Sequence, residues 1–428
     1  MEIKNLHALF LKCNSFTTDT RQIKENSMFF ALKGDRFDAN TFAKEALNKG
    51  ASFVVIDNND YYIDERTILV DNTLKTLQDL AQFHRNYLKI TIIALTGSNG
   101  KTTTKELIHA VLSKSYSVKA TIGNLNNHIG VPLTLLSFNK ETEIGIVEMG
   151  ANHQKEIAFL CEIAQPDYGY ITNFGKAHLE GFGGFEGVIK GKSEMLHFLK
   201  NYNKKLFINL DDPLQVENSK LISYYSFSLH NKNTNVYIEK VEANPFISVT
   251  YNNGKIIHSQ LVGIYNASNI SAAIAIGTYF KVASDLIQEA IENYIPTNNR
   301  SQLSQKGSNQ LILDAYNANP SSMAVALQNF IQISEPNKVA FLGDMFELGD
   351  ESFKEHKNIV ESLKKETKIQ FYFIGEAFYK VKMEQPHFKF FKSFDDLKEV
   401  ISDMKFEKSY ILIKGSRGMA LERVLDIL

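Results

Sequence analysis

The chain has 428 residues, of which 44% are hydrophobic, and a formal net charge of −1. This length suits about three domains of ordinary size, and the balanced charge argues against non-specific binding to nucleic acid or attraction to an anionic membrane. The two cysteines give neither a disulfide framework nor a cysteine metal cluster. The N-terminus lacks a signal-peptide core and no apolar run approaches transmembrane length, so we expect a cytoplasmic protein without membrane insertion.

Residues 1–83 are predicted to form a small α/β domain. Apolar runs at 27–32 and 52–56 predict strands, and residues 39–49 between them predict a helix. Strand, helix and strand in this order are typical of a parallel α/β unit.

Residues 84–299 are predicted to form a larger α/β domain around a mostly parallel sheet, because strands and helices alternate. The predicted elements are strands at 90–95, 144–147, 168–171 and 206–208 and a helix at 105–112. Around 236–262 the pattern changes to short alternating strands, with a hairpin turn predicted at Asn253 and Gly254.

The strand at 90–95 runs into a glycine loop that opens the helix pattern. This arrangement is typical of a phosphate-binding loop, because loop amides and the helix N-terminus face the anion. Lys101 would supply a positive charge and Thr102 a hydroxyl for magnesium. Only two residues separate Gly97 from Gly100, whereas the general pattern has four. The alternative is an ordinary strand–turn–helix connection with an exposed lysine.

Polar residues follow several predicted strands, and ligands of doubly wound sheets bind beyond the carboxyl ends of strands. Glu148 directly follows the strand at 144–147 and could hold magnesium, although a capping or ion-paired glutamate is the alternative. His178 follows the strand at 168–171. The asparagine-rich segment 123–132 could bind a polar substrate or form an ordinary loop.

Residues 300–428 are predicted to form a third α/β domain. Its predicted strands lie at 311–313, 339–342, 371–374 and 410–413. Polar segments at 314–320, 343–349 and 414–418 follow three of these strands. Three polar loops after strands of one sheet predict a common ligand face.

Taken together, the loop at 96–102 and the segments 124–132, 314–320 and 343–349 resemble the ATP-dependent Mur ligases of peptidoglycan synthesis. The short loop with two residues between its glycines is the form that this family uses. The resemblance covers nearly the whole chain. It implies a small α/β N-terminal domain, a central phosphate-loop domain with a mostly parallel sheet, and a Rossmann-like C-terminal domain.

The resemblance also implies an activity. Within the family the chain is similar to the ligases that join D-alanyl-D-alanine to UDP-N-acetylmuramoyl-tripeptide through an acyl-phosphate intermediate. ATP and Mg²⁺ would be required, and we expect a monomer. Residues 1–83 would bind the UDP precursor, residues 84–299 would bind ATP, and residues 300–428 would carry the incoming dipeptide.

The family's functional residues carry over onto matching positions of this chain. The implied catalytic residues are Lys101, Glu148, His178 and Lys192, with Lys192 carbamylated. Magnesium would be held by Thr102, Glu148, His178 and the modified Lys192. The implied ATP contacts are Gly97, Ser98, Asn99, Gly100, Lys101, Thr102, Thr103, Asn266, Asn269, Arg300 and Asp314. The implied substrate contacts are Thr20, Arg21, Lys33, Asp38, Asn124, Asn126, Asn127, Asn317 and Asn319.

Two alternatives stay open from the sequence. One is another member of the same superfamily, such as a folylpolyglutamate synthase, although the segment 314–320 argues against it. The other is a phosphate-loop switch or assembly ATPase whose third domain is a binding module.

Overall fold

The computed structural model describes residues 1–252, 254–296, 300–401, 404 and 406–428. The first ninety residues contain the α/β arrangement that was predicted for residues 1–83. Its helices and strands are α1 (Ile3–Phe10), β1 (Ser15–Thr17), β2 (Ser27–Phe30), β3 (Lys33–Gly34), β4 (Phe37–Asp38), α2 (Ala43–Asn48), β5 (Ala51–Ile56), β6 (Thr67–Leu69) and α3 (Thr73–Leu88).

The central part of the chain alternates between strands and helices and then enters a β-rich stretch. Its elements are β7 (Thr91–Thr96), α4 (Lys101–Leu112), β8 (Val118–Ala120), α5 (Gly130–Leu136), β9 (Ile144–Glu148), α6 (Glu156–Ala164), β10 (Tyr168–Ile171), α7 (Leu179–Phe182), α8 (Phe185–Asn201), β11 (Lys205–Asn209), α9 (Pro213–Asn218), β12 (Tyr224–Ser228), β13 (Val236–Ala243), β14 (Phe246–Tyr251), β15 (Lys255–Val262), α10 (Asn266–Tyr279) and α11 (Ser284–Glu292).

The last part of the chain alternates again, and all four of its predicted strands are confirmed. Its elements are β16 (Gln302–Lys306), β17 (Asn309–Asp314), α12 (Pro320–Gln332), β18 (Lys338–Gly343), α13 (Ser352–Ser362), β19 (Ile369–Ile374), α14 (Glu376–Lys380), β20 (Phe388–Phe391), α15 (Phe394–Ile401) and β21 (Tyr410–Lys414).

The structure divides into two compact units. The first comprises residues 1–94, 117–149 and 158–167, and the second comprises residues 95–116, 150–157 and 168–428. The predicted domain boundaries at 83 and 299 stay predictions, and the second boundary lies outside the described residues.

In the first unit, a parallel sheet runs in the order β1-β2-β5-β6. Its apolar side chains pack with those of α2, and Phe29, Val54 and Ile56 are fully buried there. The predicted helix at 39–49 is split into a 3-10 turn at Ala39–Phe42 and α2. Elsewhere in this unit β8 pairs with β9 in parallel.

The second unit contains two stretches of sheet. Strands β10 to β13 are parallel neighbours in chain order, and β14 and β15 extend them as antiparallel strands. The predicted change to consecutive strands at 236–262 is therefore confirmed, but these strands of 8, 6 and 8 residues are not short. Of the predicted turn there, Asn253 lies outside the described residues.

The second stretch of sheet runs in the order β16-β17-β21-β18-β19-β20 within the described part of the chain. All neighbouring pairs are parallel except β16 with β17. Because β17, β21 and β18 are parallel neighbours, the segments that follow them leave the sheet at the same edge. Across the described residues, no helix is long and apolar enough to span a membrane.

Candidate functional site

The phosphate loop has the predicted strand–glycine–helix geometry. Strand β7 ends at Thr96, and α4 begins directly after Gly100, earlier than the helix pattern at 105–112 indicated. Gly97 and Gly100 have φ values of 141° and 79°. A Cβ at Gly97 would lie 2.0 Å from Oγ1 of Thr172. Only glycine therefore allows the loop to pass this close to the end of β10.

Asn173 holds the loop in place, and sequence reasoning did not include it among the site residues. The Ser98 amide donates to the Asn173 carbonyl at 3.1 Å, and the Asn99 amide donates to Oδ1 of Asn173 at 3.1 Å. The Ser98 hydroxyl also donates to the Gly175 carbonyl at 2.8 Å. The available signal was position, because Asn173 follows shortly after a predicted strand.

Lys101 and Thr102 lie at the N-terminus of α4. The Lys101 ammonium donates to the Gly97 carbonyl at 2.7 Å, so its charge stays at the loop. Thr102 and Thr103 are buried, and the Thr102 hydroxyl has no hydrogen-bond partner among the described residues. A buried hydroxyl oxygen at a helix N-terminus, with lone pairs that no hydrogen bond uses, fits a magnesium ion held beside a bound triphosphate.

Lys192 is 1% exposed and lies on α8. Its amine donates to the Ala151 carbonyl at 3.3 Å and lies 5.1 Å from the centre of the Phe182 ring. Burial, together with the charge of Lys101, lowers the pKa of Lys192 well below its ordinary value. This environment favours a neutral amine, which is the form that can react with carbon dioxide.

His178 immediately precedes α7 and has φ 54°. Its Nδ1 is hydrogen-bonded to the Glu347 carboxylate, and this bond lowers the pKa of Glu347. The polar segment predicted at 343–349 therefore contacts His178. No three His, Cys, Asp or Glu side chains of the described residues converge on a point that could hold a metal ion. The predicted metal set, which includes a threonine and a modified lysine, stays a prediction.

Glu148 ends β9 in the first unit and is 1% exposed. Its Oε1 accepts a hydrogen bond from Nδ2 of Asn126 at 2.8 Å, and its backbone amide donates to Thr121 at 3.0 Å. Asn127 shapes the start of α5, because its side chain accepts from the Gly130 amide at 2.9 Å. Asn124 is exposed. The asparagine-rich segment therefore both positions the carboxylate and offers an exposed amide.

Asn266 and Asn269 are buried on α10, against the phosphate loop. Oδ1 of Asn269 accepts from the Thr104 hydroxyl at 3.0 Å, and its Nδ2 donates to Asn266 at 2.8 Å. A Cβ at Gly100 would lie 2.7 Å from Oδ1 of Asn269. Asn269 therefore packs against Gly100 of the phosphate loop, a contact that the sequence did not reveal.

Asp314 and Arg300 lie at the start of the C-terminal sheet region. Asp314 ends β17, and the buried Lys414 donates to its Oδ2 at 2.6 Å and to the Asn317 carbonyl at 3.4 Å. The Arg300 guanidinium lies 3.7 Å from the centre of the Tyr316 ring. Lys414 was not among the predicted site residues, although it directly follows the last predicted strand and begins the polar segment 414–418.

The three polar segments contact one another in the second unit, as expected for a common face, and the binding of a ligand there stays a prediction. The Ser416 amide donates to the Asp344 carbonyl at 3.2 Å, and the Ser416 hydroxyl donates to the Ala318 carbonyl at 3.3 Å. Asp344 also accepts from the amides of Ala377 and Phe378 at 2.9 Å. One residue from each segment thus takes part in a single hydrogen-bonded cluster.

Of the four predicted substrate residues of the N-terminal domain, Arg21 and Lys33 are exposed, and Thr20 and Asp38 are half-buried. The Lys33 ammonium lies 3.2 Å from Asp57 and 3.8 Å from Asp38. The buried Asn40 donates to both of these carboxylates. Asp57 and Asn40 were not predicted, although Asp57 directly follows a predicted strand.

The other two predicted residues of this domain, Thr20 and Arg21, do not take part in the hydrogen bonds and ion pairs that the described residues form around Asp57. The Arg21 guanidinium forms a surface ion pair with Asp19 at 2.7 Å. The Thr20 carbonyl accepts from the Lys49 ammonium at 3.1 Å.

Family models match three successive parts of the chain. The Mur ligase family catalytic domain matches residues 13–85, the Mur ligase middle domain matches residues 95–277, and the Mur ligase glutamate ligase domain matches residues 299–417. The UDP-N-acetylmuramoyl-tripeptide--D-alanyl-D-alanine ligase of Bacillus subtilis (strain 168) is 35% identical, covering 95% of this chain and 91% of that protein.

Solved structures show the same similarity. MurF from Acinetobacter baumannii has a TM-score of 0.87 and 29% identity, covering 99% of this chain and 97% of that one. The MurF ligase of Thermotoga maritima in complex with ADP has a TM-score of 0.85 and 26% identity, covering 98% and 97%. These comparisons confirm the predicted three-domain α/β fold. The chain therefore belongs to the Mur ligase family, in the group of its UDP-N-acetylmuramoyl-tripeptide--D-alanyl-D-alanine ligases.

Proposed function

We propose that this chain joins D-alanyl-D-alanine to UDP-N-acetylmuramoyl-tripeptide in an ATP-dependent reaction of peptidoglycan synthesis. The observation that carries the proposal is the phosphate loop. The Lys101 charge lies on this loop, and the buried Thr102 hydroxyl has no hydrogen-bond partner among the described residues. Full-length similarity to ligases sets aside the alternative of a phosphate-loop switch. The cytoplasmic location and monomeric state stay predictions from the sequence.

A carboxylate does not condense with an amine in water without activation. In the proposed route, an oxygen of the tripeptide's terminal carboxylate attacks the γ-phosphorus of ATP, and the bond to the ADP oxygen breaks. The amine of D-alanyl-D-alanine then attacks the acyl carbon, phosphate leaves, and the amine loses a proton. Lys101 and the N-terminus of α4 stabilise the charge that develops on the phosphoryl oxygens.

Magnesium, when bound, would neutralise phosphate charge. We propose that Thr102, Glu148, His178 and carbamylated Lys192 hold it. The fit of Thr102 is supported by its buried hydroxyl, and that of Lys192 by the lowered pKa of its amine. A carbamate would present oxygen atoms, which are the ligands that magnesium prefers.

The remaining residues are assigned by substrate. Asn266, Asn269, Arg300 and Asp314 would contact ATP beyond its phosphates. Thr20, Arg21, Lys33 and Asp38 would bind the UDP end of the precursor. Asn124, Asn126, Asn127 and Asn317 would be further contacts to the substrates.

ADP release should require both UDP-N-acetylmuramoyl-tripeptide and D-alanyl-D-alanine, because the phosphoryl acceptor and the amine come from different substrates. The test measures ADP by a coupled assay and the product by mass spectrometry, with each substrate omitted in turn. A product mass equal to the sum of both substrates less one water supports the proposal. Rapid ATP hydrolysis with neither substrate present would contradict it.

Lys33→Ala should weaken binding of the UDP-linked precursor by about tenfold and leave ATP affinity unchanged, because it removes one charge-assisted contact to a phosphate. Lys33 is 44% exposed, so the variant should fold normally. Calorimetry with precursor and with ATP separates the two affinities. The matched control is Lys44→Ala, an exposed lysine of the same domain. Equal precursor affinity in both variants and the parent would remove Lys33 from the site.

A further inference from the structure

The N-terminus of α12 is hydrogen-bonded to the phosphate loop through two asparagines. Nδ2 of Asn319 donates to Oδ1 of Asn99 at 2.7 Å, although the residues are 220 positions apart in the chain. Asn99 lies between the two loop glycines, and Asn319 is buried. Both residues belong to the second unit.

Asn319 is also the N-cap of α12. Its Oδ1 accepts from the Ser322 amide at 2.9 Å, and the Ser322 hydroxyl accepts from the Asn319 amide at 3.1 Å, which completes a capping box. A cap requires only a side-chain oxygen, and serine supplies one nearly as well as asparagine. The Nδ2 donor is therefore not needed for the cap, and its contact with Asn99 calls for a separate explanation.

The surroundings fix both ends of this contact. The Asn99 amide donates to Oδ1 of Asn173 at 3.1 Å, and its carbonyl accepts from Nδ2 of Asn173 at 3.0 Å. A Cβ at Gly175 would lie 3.0 Å from Nδ2 of Asn99 and 3.2 Å from Cβ of Ser321. The Lys176 amide donates to the Ser321 hydroxyl at 2.9 Å. The phosphate loop therefore contacts the first turn of α12 both directly and through residues 173–176.

We propose that Asn319 is a positioning residue, which couples the shape of the phosphate loop to the C-terminal ligand face through Asn99. This assignment replaces the direct substrate contact that the sequence indicated for Asn319. The inference rests on the proposed function, because the coupled events are nucleotide binding at the loop and use of the dipeptide. Two sites are coupled when ligand at one changes the affinity at the other.

The kinetic test is a double-mutant cycle of Asn319→Ser and Asn99→Ala in the full chain. Asn319→Ser keeps the cap oxygen and removes the donor. Each single variant should lower kcat by about tenfold and the double variant should be no worse than either, because both remove the same contact. The melting temperature of Asn319→Ser and the affinity of this variant for ADP alone should stay near the parental values. Additive losses, or parental kcat in both single variants, would overturn the inference.

The matched control is Asn72→Ser. Asn72 is an exposed asparagine that caps α3 by accepting from the Lys75 amide at 2.7 Å. The substitution makes the same chemical change at a helix cap with no link to the loop, so kcat should remain parental. A tenfold loss of kcat in this control would mean that the cap change alone explains the effect.

A second readout does not depend on ligase activity. Hydrogen exchange of the amides at 319–326 should slow when ADP is added to the parent, and this change should be absent in Asn99→Ala. Equal slowing in both proteins would overturn the coupling. A parent that shows the ADP effect but makes no ligation product would overturn the proposed function and leave the coupling standing.

Discussion

Lys101→Ala should lower kcat by a factor of about a hundred or more, as loss of one preorganised electrostatic donor does at other active sites. The ammonium already lies on the loop, 2.7 Å from the Gly97 carbonyl, so its position does not depend on a large rearrangement. The measurement is ADP release at saturating concentrations of all three substrates. The fold should survive, because a half-buried lysine at the N-terminus of α4 supports little of the core.

Lys114→Ala is the matched control for this prediction. Lys114 lies just beyond the other end of α4 and pairs with Glu289 at 2.9 Å on the surface. Surface pairs contribute little to stability, so this variant should keep parental kcat and melting temperature. If Lys101→Ala melts like the parent and also keeps parental turnover, the phosphate-loop assignment is wrong.

Lys192→Ala should be nearly inactive, with kcat lowered by about a hundredfold or more, because it would remove a carboxylate-like magnesium ligand from the reaction. Carbamylation forms a bond between the neutral amine nitrogen and the carbon of carbon dioxide, and one proton is released. The lowered pKa of the buried amine favours this step. Formate or acetate should partly restore activity to the alanine variant by supplying the missing oxygens.

The control here is Lys190→Ala, which removes an exposed lysine from the same helix and should leave activity unchanged with or without acetate. Intact-mass spectra collected without acid should show the carbamate on the parent and not on Lys192→Ala. A bare amine at Lys192 in a metal-bound crystal grown with bicarbonate, together with an active alanine variant, would contradict the prediction.

The sequence predicted the strands and the phosphate loop well, because buried strands and glycine turns leave strong local signals. Strands β7, β9, β10 and β18 lie within one residue of their predicted positions at each end. The 3-10 turn before α2 was not predicted, since its cap depends on Asp38 accepting from the Asn40 amide at 2.9 Å. The roles of Asn173 and Asn269 were missed for another reason. Each acts by contacting the loop from a distant point in the chain, and single-sequence patterns carry no record of such contacts.

The absence of long-range contacts from single-sequence patterns also explains why the hydrogen bond of Asn319 to Asn99 was not predicted. Its place before Pro320 indicated a helix start, which α12 confirms, but the polar side chain was interpreted as a substrate contact. The structure shows both of its functional groups engaged within the protein. Chemistry that suits a ligand also suits an internal hydrogen bond, and only the fold distinguishes the two.

The position of β21 has a consequence for biosynthesis. This strand is the last of its sheet to emerge during translation, yet it lies between β17 and β18 near the middle of that sheet. Until it is made, those two strands lack their shared neighbour, and the Leu311, Phe341 and Ile413 side chains cannot complete their common core. The nascent C-terminal domain therefore exposes two unpaired strand edges until synthesis has passed β21, and it is most vulnerable to aggregation during that interval.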